Sequence, residues 1–136
     1  MKTGSWVLDA SALLAYLKRE EGYKAVRSVL ASASDGSGRV LINEINLGEV
    51  FYVISRQRSA EAATSFFHEG LPLLPVEPVP NTMADVVLAA KLKARLNLHY
   101  TDAFAAVTAM QRNASLVTAD RDFEKVADEV KIRWLR

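Results

Sequence analysis

The sequence contains no cysteine, which excludes disulfide bonds, zinc–thiolate sites and thiol catalysis. It also lacks an excess of either charge: 17 basic and 16 acidic residues leave a formal net charge of +1, which neither indicates nor excludes a polyanionic partner. No apolar run approaches the roughly 20 residues of a membrane span. Residues 1–17 faintly imitate a signal peptide, but Asp9 interrupts the apolar stretch, so we expect a cytoplasmic protein without a membrane partner.

The composition is that of an ordinary folded protein, since 50% of its 136 residues are hydrophobic and 24% are charged. This length predicts a single domain over residues 1–136. Short apolar runs predict strands at residues 5–8, 39–42, 73–76, 115–117 and 131–135. Helical patterns occupy residues 12–19, 23–33, 47–58, 60–69, 81–96 and 102–113. Strands that alternate with helices predict an α/β fold, in which helices cover both faces of a mostly parallel sheet.

Acidic residues follow two of the predicted strands. Asp9 comes directly after the first strand, and Asp120 and Asp122 come shortly after the fourth. Ligands of open parallel sheets bind outside the carboxyl ends of the strands, so these acids converge if the two strands are neighbours. Two acids and Thr118 at a strand end suit a hard divalent cation such as Mg²⁺ or Mn²⁺. A solvated turn that caps a short helix is the alternative explanation.

Three of the acidic segments also have purely structural explanations. Asp9, or Ser11 beside it, can cap the helix that follows the first strand. Glu49 stands early in an apolar helix, where a buried carboxylate needs a cation, hydrogen-bond donors or a raised pKa. A glutamate in a first helical turn is also favoured by the helix dipole. Asp102 follows Thr101, a predicted N-cap, and helix electrostatics alone favours an aspartate there.

The order and spacing of four segments resemble the PIN domain, and most closely the small VapC-type toxins of bacterial and archaeal toxin–antitoxin pairs. The segments are residues 7–13 (VLDASAL), 46–54 (NLGEVFYVI), 100–106 (YTDAFAA) and 116–123 (LVTADRDF). No single segment is specific, but together they extend over nearly the whole chain. The resemblance implies a PIN-like, flavodoxin-like three-layer sandwich with a central sheet of four to five mostly parallel strands.

The resemblance also implies which residues form the site. The expected metal ligands and catalytic residues are Asp9, Glu49, Asp102 and Asp120, with Asp122 as a further candidate ligand. The spacing from Thr118 favours Asp120 over Asp122 as the fourth acid. Ser11 and Thr118 are expected to support the acids, and Arg121 is a candidate contact to RNA.

The activity implied by the resemblance is that of an endoribonuclease, which uses Mg²⁺ or Mn²⁺ to hydrolyse phosphodiester bonds of single-stranded or structured RNA. One or two ions activate water for in-line attack and leave a 5′-phosphate and a 3′-hydroxyl. No protein nucleophile is needed, and neither His68 nor His99 falls within the acidic segments. The expected partners are a cognate antitoxin that covers the acidic pocket and a second copy of the chain in a homodimer.

Other functions fit some of the same residues. A housekeeping RNA-processing nuclease of the PIN type would use the same acids. A phosphoaspartyl phosphatase needs a second acid two residues after Asp9, where this chain has Ser11. A receiver domain expects paired acids around the first strand end, and this chain offers one. A non-catalytic binding module on the same fold would leave Glu49 without a purpose.

Overall fold

A computed structural model describes residues 4–136 and contains a five-stranded parallel sheet. The strands are β1 (Gly4–Leu8), β2 (Gly38–Asn43), β3 (Glu77–Val79), β4 (Ser115–Thr118) and β5 (Ile132–Trp134). Their order across the sheet is β3-β2-β1-β4-β5, and every neighbouring pair is parallel. The first and fourth strands are therefore neighbours at the centre of the sheet, and the predicted α/β architecture is confirmed.

Helices connect the strands and cover both faces of the sheet. They are α1 (Ala10–Lys18), α2 (Tyr23–Ser34), α3 (Glu44–Gln57), α4 (Ala60–Ser65), α5 (Met83–Leu96) and α6 (Tyr100–Gln111). A π-helical turn at Phe66–Gly70 continues α4, and 3₁₀ turns lie at Leu71–Leu73 and Arg121–Val126. No helix within residues 4–136 has the length and hydropathy needed to cross a lipid bilayer.

Alternate residues of the central strands enter two separate cores. One core lies between the sheet and helices α5 and α6, and it contains Val7, Leu41 and Leu116. The other lies between the sheet and helices α1, α2 and α3, and it contains Leu8, Ile42 and Val117. Because both faces are buried, these strands read as continuous apolar runs in the sequence instead of alternating ones.

The third strand lies later in the chain than predicted. The apolar pattern predicts it at residues 73–76, but β3 is Glu77–Val79 and the apolar run begins in the 3₁₀ turn Leu71–Leu73. Leu73 is 84% exposed, so the apolar run does not mark a buried strand. Proline restricts the backbone of this segment, and Pro78 is tolerated within β3 because an edge strand does not need every N–H donor.

Gly22 precedes α2 in a left-handed conformation (φ 92°), and a Cβ there would lie 2.6 Å from the Cβ of Leu135 and 2.7 Å from its carbonyl oxygen. We expect Gly22→Ala to lower the free energy of unfolding by about 2–4 kcal/mol, because backbone strain and a clash with buried Leu135 add together. The matched control is Gly36→Ala, where φ is 81° but no atom lies within 4 Å of the added Cβ. That control should lose only about 1–2 kcal/mol. Equal losses in urea denaturation would contradict the role of the Leu135 contact.

Candidate metal centre

The central strand pair brings the first and last acidic segments together. Leu8 and Val117 are partners in the parallel register of β1 and β4, and the N–H of Asp9 donates to the Val117 carbonyl over 3.3 Å. Thr118, the last residue of β4, donates from Oγ1 to Asp9 Oδ2 over 2.6 Å. The carboxyl ends of the two strands therefore converge, as the sequence predicts for neighbouring strands.

Asp9 is buried and extensively hydrogen-bonded. Besides Thr118, its carboxylate accepts from Ser11 Oγ at 2.7 and 2.9 Å and from the Ala12 N–H at 2.9 Å. The last contact makes Asp9 the N-cap of α1, which confirms the predicted capping role. The same carboxylate lies beside the other acids, so the two roles are compatible. Burial raises the pKa of Asp9 to about 6, and the hydrogen bonds it accepts limit the rise.

The Thr118 hydroxyl links Asp9 to the loop that carries the other acids. While it donates to Asp9, it accepts from the Asp120 N–H at 2.9 Å. Asp120 Oδ1 in turn accepts from the Asp122 N–H at 2.9 Å, so Asp120 caps the 3₁₀ turn Arg121–Val126. This chain of hydrogen bonds fixes where the loop presents its two carboxylates.

Asp102 comes to the site from the first turn of α6. This helix begins at Tyr100, and its N-cap is His99, whose side chain makes no capping hydrogen bond. The prediction that Thr101 is the N-cap was wrong, because the helix begins before it. Asp102 is only 7% exposed, and its Oδ2 has no hydrogen-bond partner among residues 4–136.

Three carboxylates crowd together at this point. Asp102, Asp120 and Asp122 each offer an oxygen, and these oxygens all lie within 4.8 Å of one another. Burial, and after it the neighbouring negative charges with Asp120 first among them, raise the pKa of Asp102 to about 7. Since both Asp120 and Asp122 belong to this group, the geometry does not favour one of them as the fourth acid.

Glu49 approaches from α3, and its charge also raises the pKa of Asp102. Its side chain is half-buried, between the fully buried Val50 and the exposed Gly48. Within the part of the chain that the structure describes, neither Glu49 nor Asp9 belongs to the tight three-carboxylate group. The charges of the other four predicted acids thus all act on Asp102. Within the described chain, however, only Asp120 and Asp122 join it in the tight group.

The residues present fit a hard divalent cation. All candidate ligands are carboxylate oxygens, which Mg²⁺ and Mn²⁺ prefer. The group also contains a buried oxygen, Asp102 Oδ2, for which the described chain supplies no donor. A cation would satisfy this oxygen and relieve the repulsion that raises the pKa of Asp102.

Two residues that contact the acidic segments were not predicted from the sequence. His99 Nε2 lies 3.8 Å from Asp122 Oδ2, although the His99 side chain is 77% exposed. Asn46 is fully buried, and its Nδ2 donates to the Thr101 carbonyl over 3.0 Å. Only their positions in the sequence could have pointed to them: His99 stands three residues before Asp102, and Asn46 lies one helical turn before Glu49.

Arg121, the candidate RNA contact, is exposed and lies between Asp120 and Asp122 in the chain. Its guanidinium carbon is 4.4 Å from the centroid of the Trp134 ring, and Nη1 is 3.5 Å from Glu124 Oε1. The guanidinium therefore packs on the ring of Trp134, at the end of β5.

Removing the Thr118 hydroxyl should destabilise the fold and raise the pKa of Asp9. We expect Thr118→Val to lower the free energy of unfolding by about 1–3 kcal/mol, because the Asp120 N–H loses its acceptor and Asp9 loses a donor. The pKa of Asp9 should rise above about 6, since the Thr118 hydrogen bond lowers it most among the hydrogen bonds. Urea denaturation and carboxyl ¹³C NMR titration measure the two effects. Thr64→Val, at an exposed threonine of α4, is the control and should change neither.

Comparison with known proteins assigns the fold. The chain superimposes on a chain of VapBC from Salmonella typhimurium, solved bound to DNA, with a TM-score of 0.72, 17% identity and 100% coverage of both chains. It superimposes on a chain of VapBC2 from Rickettsia felis, bound to a promoter DNA fragment, with a TM-score of 0.71 and 19% identity. That match covers 95% of this chain and 97% of the other.

A third similar structure is Mycobacterium tuberculosis VapC20, described as a toxin that cleaves the sarcin–ricin loop. Its TM-score is 0.68 at 14% identity, over 92% of this chain and 95% of that chain. No curated protein sequence matches significantly. The model of the PIN domain family matches residues 6–129. Because this match covers most of the chain, the protein belongs to the PIN domain family, a family of nucleases.

Proposed function

We propose that the chain is a Mg²⁺- or Mn²⁺-dependent endoribonuclease and the toxin of a type II toxin–antitoxin pair. The observation that carries the proposal is the buried Asp102 carboxyl, with one oxygen unpartnered in the described chain, within 4.8 Å of oxygens from Asp120 and Asp122. The likeness of the whole fold to VapC structures supports it. A PIN-type nuclease that processes RNA as a housekeeping enzyme would share the site but would not arrest growth.

Each acid has a distinct part in holding the cation. Asp102 and Asp120, with Asp122 as the alternative to Asp120, provide the closely spaced oxygens. Asp9, which follows β1, and Glu49, on α3, add negative charge close to these oxygens. A bound divalent ion supplies a water of lowered pKa and neutralises charge on phosphate oxygens.

The residues around the acids keep this arrangement rigid. Ser11 and Thr118 both donate to Asp9, and the Ser11 hydroxyl also accepts from the Ala119 N–H at 3.0 Å. These contacts join α1 to the loop after β4, so the carboxylates are positioned before a substrate binds. Preorganised oxygens lose little entropy when the ion and the RNA phosphate arrive.

RNA is the proposed substrate, and single-stranded regions suit it best because their backbone and bases are accessible. Arg121 is the proposed phosphate contact. Its ion pair with Glu124 is exposed and therefore weak, so a phosphate can compete for the guanidinium.

Product chemistry tests the proposed reaction. A 5′-labelled single-stranded RNA incubated with the protein and Mn²⁺ should give products with a 3′-hydroxyl and a new 5′-phosphate, whereas the DNA oligonucleotide of the same sequence should remain intact. Asp102→Asn is the matched inactive control. A 2′,3′-cyclic phosphate product, or cleavage that persists in Asp102→Asn, would show that another mechanism or a contaminating nuclease is at work.

Growth arrest tests the toxin role. We propose that the chain acts in the cytoplasm, where a cognate antitoxin covers the acidic pocket; the VapBC complexes among the similar structures support such a partner. Expression of the free chain should arrest growth, and Asp9→Asn should relieve the arrest. RNA cleavage in vitro without growth arrest would favour a housekeeping nuclease.

We propose a homodimer in which exposed apolar side chains of α5 are covered. Met83 is 74% exposed, and Val87 and Leu88 are each 44% exposed. Burial of such a patch against a second copy removes apolar surface from water. Light scattering after size-exclusion chromatography measures the mass, and Val87→Glu should shift a dimer towards the monomer.

A further inference from the structure

Asn46 is a buried polar side chain whose hydrogen bonding is only half satisfied within the described chain. It is 0% exposed, and its Nδ2 donates to the Thr101 carbonyl over 3.0 Å. Its Oδ1 has no partner among residues 4–136. Buried acceptors without a donor are rare and costly, so a donor from outside the described chain would stabilise this oxygen.

The position of Asn46 indicates which donor that is. It precedes Glu49 by three residues, so both side chains lie on one face of α3. Its partner Thr101 immediately precedes Asp102, whose Oδ2 is the other unpartnered oxygen of this region. The described residues contain three buried side-chain oxygens without a partner: Ser55 Oγ lies near the far end of α3, whereas Asn46 Oδ1 and Asp102 Oδ2 lie on the parts of α3 and α6 that hold Glu49 and Asp102.

We propose that Asn46 is a positioning residue of the metal site: Nδ2 fixes α3 against the start of α6, and Oδ1 accepts a hydrogen bond from a water of the hydrated cation. This inference rests on the proposed function. Mg²⁺ and similar ions keep several waters when a few carboxylates hold them, and groups beyond the direct ligands orient the site. A neutral amide suits this position because a further carboxylate would add to the repulsion at Asp102.

Asn43, at the end of β2, shows how a purely structural asparagine looks in the same region. Its Nδ2 donates to Asn81 Oδ1 at 2.7 Å and to Thr108 Oγ1 at 2.9 Å. Its Oδ1 accepts from the Ile45 N–H at 2.9 Å and from Asn81 Nδ2 at 3.0 Å. Both ends of Asn43 are satisfied by the protein, whereas Asn46 has only its donor satisfied.

Titration of the metal-free, full-length protein with Mn²⁺ alone, followed by calorimetry, tests the inference without any measurement of RNA cleavage. We expect Asn46→Leu to weaken Mn²⁺ binding by roughly 10–100-fold, the usual effect of removing an outer partner of a metal site. The melting temperature of its metal-free form should change little, because the loss of the hydrogen bond to the Thr101 carbonyl is offset by removal of the unsatisfied acceptor.

Asn46→Asp distinguishes the role of the acceptor Oδ1 from that of the donor Nδ2. It keeps an acceptor oxygen but loses the donor to Thr101, so we expect Mn²⁺ affinity at or above that of the wild type, with a lower metal-free melting temperature. This variant also keeps the test valid if Asn46→Leu does not fold. Equal loss of Mn²⁺ affinity in both variants would mean that only the contact to Thr101 matters, and it would overturn the role of Oδ1.

Two controls separate this inference from the proposed function. Thr108→Val removes a buried, fully hydrogen-bonded hydroxyl of α6, so it should lower the melting temperature and leave Mn²⁺ affinity unchanged. Asp102→Asn should abolish tight Mn²⁺ binding. If it does so while Asn46→Leu binds like the wild type, the inference alone fails; if the wild type itself binds no Mn²⁺, the proposed function fails with it.

Discussion

Replacement of Asp102 by asparagine is expected to lower kcat for RNA cleavage by at least about 10³-fold while the protein stays folded. Asp102 carries the buried oxygen without a partner in the described chain, and it lies among the closely spaced carboxylates. Asparagine has nearly the same shape but no charge, so the cation loses the most buried of the three closely spaced carboxylates. Steady-state cleavage of a labelled single-stranded RNA, at saturating Mn²⁺, measures the effect.

The same substitution should stabilise the metal-free protein at high pH. The pKa of Asp102 is raised from 3.8 to about 7, first by burial and then by neighbouring charges. Between these values the folded state keeps a proton that the unfolded state releases, so wild-type stability falls as pH rises from about 4 to about 7. At pH 8, where wild-type Asp102 is ionised, Asp102→Asn should therefore be more stable by roughly 2–4 kcal/mol in EDTA.

The matched control is Asp128→Asn, which neutralises an exposed aspartate after the last 3₁₀ turn. It should change neither kcat nor stability, since exposed residues without specific contacts contribute little. A loss of activity in Asp102→Asn together with a loss of metal-free stability at pH 8 would contradict the explanation, because it would point to general damage.

Addition of Mn²⁺ is expected to raise the melting temperature strongly at pH 8 and little at pH 5. The pKa values of about 6 for Asp9 and about 7 for Asp102 leave both groups mostly protonated at pH 5, so protons compete with the cation. At pH 8 both are ionised, and an ion at 100 times its Kd adds about 2.7 kcal/mol. Removal of the ion with EDTA should abolish RNA cleavage at either pH.

Differential scanning fluorimetry across pH 5–8, with Mn²⁺ or with EDTA, measures this linkage. Without metal the wild type should lose stability as pH rises, and with Mn²⁺ that loss should largely disappear. Asp102→Asn should show a much weaker dependence on both pH and metal. An equal Mn²⁺ effect at pH 5 and pH 8 would exclude Asp9 and Asp102 as ligands that must lose protons.

The strand order explains why part of the site could be predicted. Asp9 and Asp120 follow the ends of two strands, and parallel pairing aligns those ends at one edge of the sheet. Thr118 could be associated with them because it ends β4. The pattern predicts the third strand too early in the chain. The apolar residues before Val76 fit a strand pattern, but they belong to a turn whose backbone proline restricts.

The contacts of Asn46 and His99 could not be read from the sequence. Asn46 touches Thr101 across 55 positions of the chain, and His99 touches Asp122 across a helix and a strand. Periodicity reports which face of an element is buried, but it does not report which buried atoms of two elements meet. The resemblance named the acids, and it offered no reason to select these two residues.

The sequence by itself determined the α/β architecture, the order of the acidic segments and the oxygen-only chemistry of the site, because apolar periodicity and residue type are local properties. Only the tertiary structure decided that β1 and β4 are neighbours and that Asp102, Asp120 and Asp122 form the tight group. It also decided which buried oxygens lack a partner within the described chain. These features depend on distances between atoms far apart in the chain, which strand pairing and helix packing fix together.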